Sequence, residues 1–130
     1  MKKLRKHKGS FEVKTGTVDK FFEDIKTTMR AADRGEPLEE RHTLIFEDPL
    51  EMLNFLSKAK IELIKIIRAH PDSITNIAKT LKRNRAAVYR DISKMEEFGL
   101  VKLREEVNPG HGRHKIVEVV APAFKLEAYL

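Results

Sequence analysis

The feature that most constrains the fold of this chain is a break in helical periodicity between residues 73 and 98. Apolar residues recur at helical spacing over 74–81, and the same spacing resumes over 88–95. The polar residues Lys82-Arg83-Asn84 form the turn between them, and Asn84 can cap the second helix. A short helix, a tight turn and a longer helix therefore follow one another, which is the order of a helix-turn-helix.

Further elements flank this pair of helices. Ser57 can cap a preceding helix that runs to about Arg68, and apolar residues on most of its faces predict that it is buried. Gly99 ends the longer helix. The whole order predicts a winged helix-turn-helix over 48–120, whose second helix enters the major groove of DNA. Its hairpin is expected to consist of a strand, a loop and a strand at 100–103, 105–115 and 116–120.

The residues before this domain predict a β-α-β arm over 11–47, so the fold class is mostly α with small β (α+β). A short helix is also expected to start at Asp48-Pro49. The helix of the arm starts at Thr17, and because so short an arm buries little by itself, we expect it to contribute to dimerisation. Its apolar stripe has 4-3-4-3 spacing and consists of Val18, Phe22, Ile25, Met29 and Ala32. The strands of the arm are expected at Phe11-Glu12-Val13-Lys14 and at Arg41 to Phe46.

The net charge of +6 is concentrated in two segments. Residues 1–8 carry +5 and residues 73–104 carry another +5, whereas 9–72 and 105–130 carry −3 and −1. The first segment belongs to a flexible basic tail predicted at 1–10. The second coincides with the turn and the longer helix, and a basic patch of this kind indicates a polyanionic partner.

The outward face of the longer helix carries the candidate DNA-binding residues. When the apolar positions of this helix face the core, the residues on its opposite face are basic, together with one aromatic residue. Arginine pairs bidentately with guanine, so the candidates for base contacts are Arg85, Tyr89 and Arg90. The small Ala86 lets the helix backbone approach the groove. Residues expected to contact phosphates are Thr75, Lys82, Arg83, Asn84 and Lys94, joined on the hairpin by Arg113 and Lys115.

Several classes of site are excluded by the sequence. The chain contains no Cys, which excludes disulfides, thiolate zinc sites and cysteine nucleophiles. His111 and His114 have a metal-like spacing without a nearby third ligand, and no nucleotide-binding or serine-hydrolase motif occurs. We therefore expect no enzymatic activity, no metal and no cofactor. The absence of a long apolar segment predicts a cytoplasmic protein without membrane contact.

Three runs of residues carry a family resemblance: Ile74-Thr75-Asn76-Ile77-Ala78-Lys79-Thr80-Leu81, Ala87-Val88-Tyr89-Arg90-Asp91-Ile92 and Met95-Glu96-Glu97-Phe98-Gly99-Leu100-Val101. They resemble winged-helix transcriptional regulators of the MarR/ArsR type. With Glu36-Pro37-Leu38, the chain is similar in particular to short archaeal and bacterial predicted regulators, some of which resemble antitoxins. The resemblance covers about residues 36–104 and implies binding of double-stranded DNA, dimerisation and regulation of transcription.

These observations predict a sequence-specific, double-stranded DNA-binding transcriptional regulator that acts as a homodimer. The recognition helix is placed at 85–98 in the major groove, and the wing at 104–115 on the backbone or in the minor groove. The alternative is an antitoxin-like module that masks a partner protein while also binding its own promoter. The apolar arm would then mask the partner protein. The apolar C-terminal extension at 121–130 is the other candidate for the dimer interface.

Two further alternatives concern individual residues. Tyr89 can pack against the preceding helix instead of reaching DNA. The motif Arg90-Asp91 can include a structural pairing that locks the two helices together, with Arg90 kept as a DNA-facing residue. Binding of RNA or single strands is disfavoured, because it usually needs several stacking aromatics and only Tyr89 is suitably placed.

Overall fold

The computed structural model describes residues 10–37, 41–110 and 112–130. Residues 1–9 of the basic tail predicted at 1–10 lie outside the described residues, as does His111, whereas Ser10 is the first residue of a strand. The mixture of helices and small sheets confirms the predicted α+β class, and none of the described helices is long and apolar enough to cross a membrane. In order, the elements are β1 (Ser10–Thr15), α1 (Val18–Asp33), β2 (Arg41–Phe46), α2 (Pro49–Phe55), α3 (Lys58–Ala69), α4 (Ile74–Leu81), α5 (Arg85–Glu97), β3 (Val101–Asn108), β4 (Gly112–Val119) and β5 (Lys125–Glu127).

Four of these helices begin at the capping residues that the sequence predicts. In each case a side-chain oxygen before the helix accepts a hydrogen bond from a backbone N–H two or three residues further on. Such a cap contributes about 1 kcal/mol. The acceptor and donor residues are Thr17 and Lys20 (3.2 Å), Asp48 and Leu50 (2.9 Å), Ser57 and Lys60 (3.3 Å), and Asn84 and Ala86 (2.8 Å).

The first of two compact units contains the described residues up to Phe55 together with Ala123–Leu130. Its sheet has the order β2-β1-β5, and both pairings are parallel. Helix α1 forms the crossover between β1 and β2, since neighbouring parallel strands need a long connection. The buried side chains of β1 alternate along the strand and are Phe11, Val13 and Thr15.

Two parts of the predicted domain organisation differ from this structure. Helix α2 belongs to the first unit, where the Phe55 ring lies 5.6 Å from that of Phe46 on β2, so the boundary falls after Phe55 and not at residue 48. The C-terminal residues are not a separate extension, because β5 pairs with β1 and the Phe124 ring packs edge-on against Phe11 at 4.9 Å. The backbone groups on that edge of β1 need hydrogen-bonding partners, and β5 supplies them.

The second unit, Leu56–Pro122, combines α3, α4 and α5 with the hairpin of β3 and β4. Helix α3 contributes three buried residues, in agreement with the predicted buried helix. Fully burying each aliphatic side chain stabilises the fold by about 1.5–3 kcal/mol. The best-buried side chains of this unit are Leu63, Ile67, Ile77, Val88, Ile92, Met95, Leu100 and Val117.

The hairpin is longer, and its loop shorter, than the sequence predicts. Strand β3 extends to Asn108 and β4 begins at Gly112, so most of the loop predicted at 105–115 is strand. Acidic residues of β3 lie opposite basic residues of β4, as Glu105 does opposite Lys115. Cross-strand pairs of opposite charge stabilise a sheet by about 0.2–1 kcal/mol each, and they extend this hairpin beyond its apolar part.

Candidate nucleic-acid interface

The turn between α4 and α5 has a well-defined backbone. Lys82 ends α4 in the left-handed conformation with φ of 53°, and its N–H donates to the carbonyl of Lys79 at 3.2 Å. The N–H of Arg83 donates to the carbonyl of Ala78 at 3.0 Å. A left-handed backbone costs a residue other than glycine about 1–2 kcal/mol, so these hydrogen bonds and the packing around them must hold the turn in place.

A salt bridge between Arg83 and Asp91 joins this turn to the middle of α5. The Arg83 Nη2 atom lies 2.9 Å from Asp91 Oδ2, and both side chains are largely buried. The other terminal nitrogen of Arg83 is buried without a hydrogen-bond partner among the described residues. The structure therefore engages Arg83, which the sequence assigns to a phosphate contact, in an internal pair, and Asp91 takes the structural role left open for it.

The outward face of α5 is exposed over its first ten residues. The helix buries Val88, Ile92 and Met95, which places its basic residues on the opposite side. Tyr89 is 52% exposed, so packing against α4 does not cover it. The other exposed side chains on this face are Arg85, Ala86, Arg90 and Lys94.

Contacts with neighbouring side chains orient two of these cations. Arg85 Nε donates to Thr75 Oγ1 at 3.0 Å, which links the start of α5 to α4. Lys94 Nζ lies 3.4 Å from a carboxylate oxygen of Glu97 and 5.6 Å from the ring centre of Phe98. Arg90 has no salt bridge among the described residues, so its guanidinium is the most available group on this face for another molecule.

The hairpin is less basic than its Lys and Arg residues suggest. Arg113 lies 3.3 Å from a carboxylate oxygen of Glu105, and Arg104 contacts the carboxylates of Glu106 at 3.0 Å and Glu118 at 3.5 Å. Lys115 is exposed on β4. Glu105 and Glu118 become neighbours of these arginines only when the two strands pair, whereas Glu106 lies two residues from Arg104 on the same strand.

Asp72 organises the start of α4. Its Oδ1 accepts hydrogen bonds from the Ser73 N–H at 2.7 Å and from the Asn76 side chain at 2.9 Å, and its backbone carbonyl accepts the Val117 N–H of β4 at 2.8 Å. Partial burial raises the pKa of Asp72, but the two hydrogen bonds to its carboxylate, assisted by nearby histidines, lower the pKa below its ordinary value. The hydrogen bond to β4 has no local signal in the sequence, because Asp72 and Val117 are far apart in the chain.

The described residues contain no cluster of three or more His, Cys, Asp or Glu side chains suited to a metal ion. The spacing of His111 and His114 is not tested by this result, because residue 111 lies outside the described part of the chain.

Comparison with known proteins places the chain in a family. The sequence model of the HVO_A0114 family matches residues 55–125, which is more than half of the chain. The chain belongs to the HVO_A0114 family. The matching part of the chain includes α3, α4, α5, β3 and β4.

Two solved structures are similar to this HVO_A0114 family member. A possible transcriptional regulator from Methanosarcina mazei Go1 is 23% identical over 51% of this chain and 57% of its own length, with a TM-score of 0.43. A variant of ZitR from Lactococcus lactis is 17% identical over 81% of this chain and 67% of its own, with a TM-score of 0.46. These values are too low for a function to be transferred from either protein. No curated protein matches the sequence.

Proposed function

We propose that residues 56–122 form a winged helix-turn-helix and that the chain is a sequence-specific regulator of transcription that binds double-stranded DNA. The observation that carries this proposal is the exposed basic face of α5, presented directly after a turn that the Arg83–Asp91 salt bridge fixes. An α-helix fits the major groove of B-DNA, and arginine distinguishes guanine there through two hydrogen bonds. In this arrangement α5 is the recognition helix.

The exposed residues divide by role. Arg90 and Tyr89 project from the middle of α5 and are placed to read base edges, and Arg85 joins them at its start. Residues at the ends of the two helices contact phosphates and set the register on DNA: Thr75, Lys82, Asn84 and Lys94. Lys82 has a left-handed backbone conformation in which glycine would be less strained. The presence of a lysine at this position supports a role for its ammonium group.

The hairpin acts as the wing and the protein acts as a homodimer. Lys115 and Arg113 provide weaker contacts to the backbone or minor groove, because the neighbouring carboxylates reduce the positive potential there. Two copies would read half-sites one helical turn apart, about 34–36 Å between their centres.

The test begins with the selection of a binding site from random duplex DNA. The protein is then titrated with the selected duplex and with a scrambled duplex. Arg90→Ala is expected to lose about 1–3 kcal/mol of discrimination between the two duplexes. The logarithm of the affinity of the unchanged protein should fall linearly with the logarithm of the salt concentration, since phosphate contacts release counterions. Lys65→Ala, which removes an exposed cation of α3, is the matched control and should change neither property. A salt-independent association, or an Arg90→Ala protein with unchanged specificity, would contradict the proposal.

A further inference from the structure

The apolar stripe of α1 is exposed at four of its five residues, and the fifth, Ala32, is half-buried. Phe22 is 55% exposed and Met29 is 62% exposed, and Val18 and Ile25 lie on the same side of the helix. None of the residues of α1 is fully buried. Because the stripe extends over three turns of one helix, it is a contiguous apolar surface and not a set of scattered side chains.

A different side of α1 faces its own sheet. Asp24 lies 3.9 Å from Lys14 of β1, and Phe21 and Ala31, which share this side at helical spacing, are half-buried. The stripe is rotated from this side by about a quarter of a turn, since successive residues of a helix differ by roughly 100°. The packing of α1 on its sheet therefore leaves the stripe uncovered.

A row of charged residues borders the stripe on the side away from the sheet. The row follows the same helical spacing; its first two members are acidic and the next two are basic, and the acidic Asp33 continues the spacing as the last residue of the helix. None of the four forms a salt bridge with another described residue. Like charges lie four residues apart in both halves of the row, which disfavours an isolated helix. The four residues are Asp19, Glu23, Lys26 and Arg30.

We infer that α1 pairs with α1 of a second copy of this chain, antiparallel and about a two-fold axis that passes between Phe22 and Ile25. In this arrangement the acidic half of each row faces the basic half of the row on the other helix. A parallel two-fold pair would instead place the two rows on opposite sides of the interface, where their charges would not face one another. This inference rests on the proposed function, which requires a homodimer. The charge pattern of the row favours a second copy of the chain as the partner that covers the stripe.

Charge reversal tests the pairing by analytical ultracentrifugation of the full chain. The variant D19K/E23K has an entirely basic row and the variant K26E/R30E an entirely acidic one, so each alone is expected to be mainly monomeric. Mixed together they should form a heterodimer, and reversing all four charges in one chain should restore the homodimer. Half-reversed variants that remain dimeric, or a mixture that stays monomeric, would overturn the inference.

Disulfide cross-linking tests the orientation of the helices, and the absence of native Cys makes introduced thiols specific. Chains carrying Asp19→Cys are mixed with chains carrying Lys26→Cys and mildly oxidised. Antiparallel pairing predicts cross-links between the two different chains. A mixture that is dimeric but forms no cross-link between the two different chains would contradict the proposed geometry.

A substitution in the stripe separates this inference from the proposed function. Phe22→Asp should raise the dissociation constant of the dimer at least about tenfold, whereas Leu50→Asp, at an exposed apolar residue of the same unit outside the stripe, should not. Phe22→Asp should still bind a single half-site with salt-dependent affinity. If the unchanged protein dimerises through α1 but fails to bind duplex DNA, the proposed function is wrong and the inference stands. If it binds DNA and is monomeric at high concentration, or is captured only by a different protein, the inference is wrong.

Discussion

At the scale of single residues, the structure separates cations that are available from cations that already have a partner. Arg83 and Arg90 look equivalent in the sequence, because both lie in the basic segment around the turn. Arg83 is paired with Asp91 and largely buried, whereas Arg90 is exposed. Sequence periodicity assigned Arg90 to the outward face, but it could not decide the role of a turn residue, whose direction follows from the packing of two helices.

The salt bridge of Arg83 predicts that loss of its partner lowers the stability of the protein. Asp91→Ala should lower the free energy of unfolding by about 1.5–3 kcal/mol, since it leaves the Arg83 guanidinium partly buried without its charged partner. Glu96→Ala, at an exposed acid of the same helix, is the control and should change stability little. Urea denaturation measures both values. The double variant with Arg83→Met and Asp91→Leu should recover most of the loss, because no charge is left unpaired. Equal stability of the two single variants would show that the salt bridge does not hold the turn.

At the scale of elements, the helices were predicted well and the hairpin only in part. Capping residues and apolar periodicity are local signals, so α1, α3, α4 and α5 begin within a residue of the expected positions. The outer half of the hairpin lacks an apolar pattern, and Gly and Pro near its tip favoured a loop. Its strands are extended by pairing between Glu105 and Lys115 and their neighbours, which is a relation between residues distant in sequence.

The acidic residues of the hairpin lead to a prediction about the wing. Glu105→Gln removes the carboxylate that holds Arg113 and should free its guanidinium for a phosphate. Duplex affinity should rise at low salt, and the slope of log affinity against log salt should become steeper by up to about 0.9 for one added contact. Glu62→Gln, at an exposed acid of α3, is the matched control. Identical salt dependence in both variants would mean that the hairpin does not contact DNA.

At the scale of the whole molecule, the first and the last described strands lie side by side in one sheet. Strand β5 pairs with β1, Phe124 packs on Phe11, and the Tyr129 N–H donates to Thr15 Oγ1 at 2.9 Å. The first unit is therefore discontinuous in sequence, and the second is inserted between Phe55 and Ala123.

Removal of the last eight residues should consequently weaken the N-terminal sheet. Hydrogen exchange at the amides of β1 is expected to become faster, because one edge of the strand loses its hydrogen-bonding partner. Exchange in α5 should be unchanged, since α5 belongs to the other unit. Leu130→Ala, at a fully exposed terminal residue, is the control. Unaltered protection of β1 in the truncated chain would show that β5 does not stabilise the sheet.

The sequence alone was sufficient for the properties that depend on neighbours within a few turns of the chain. These are the capping of α5 by Asn84, the buried and exposed sides of this helix, and the basic character of its exposed side. The tertiary structure decided which charges are already neutralised and which strands pair. Salt bridges such as Arg83–Asp91 and the pairing of β5 with β1 join residues that come together only when the chain is folded. The energies that select such contacts arise from packing and desolvation, which have no local pattern in the sequence.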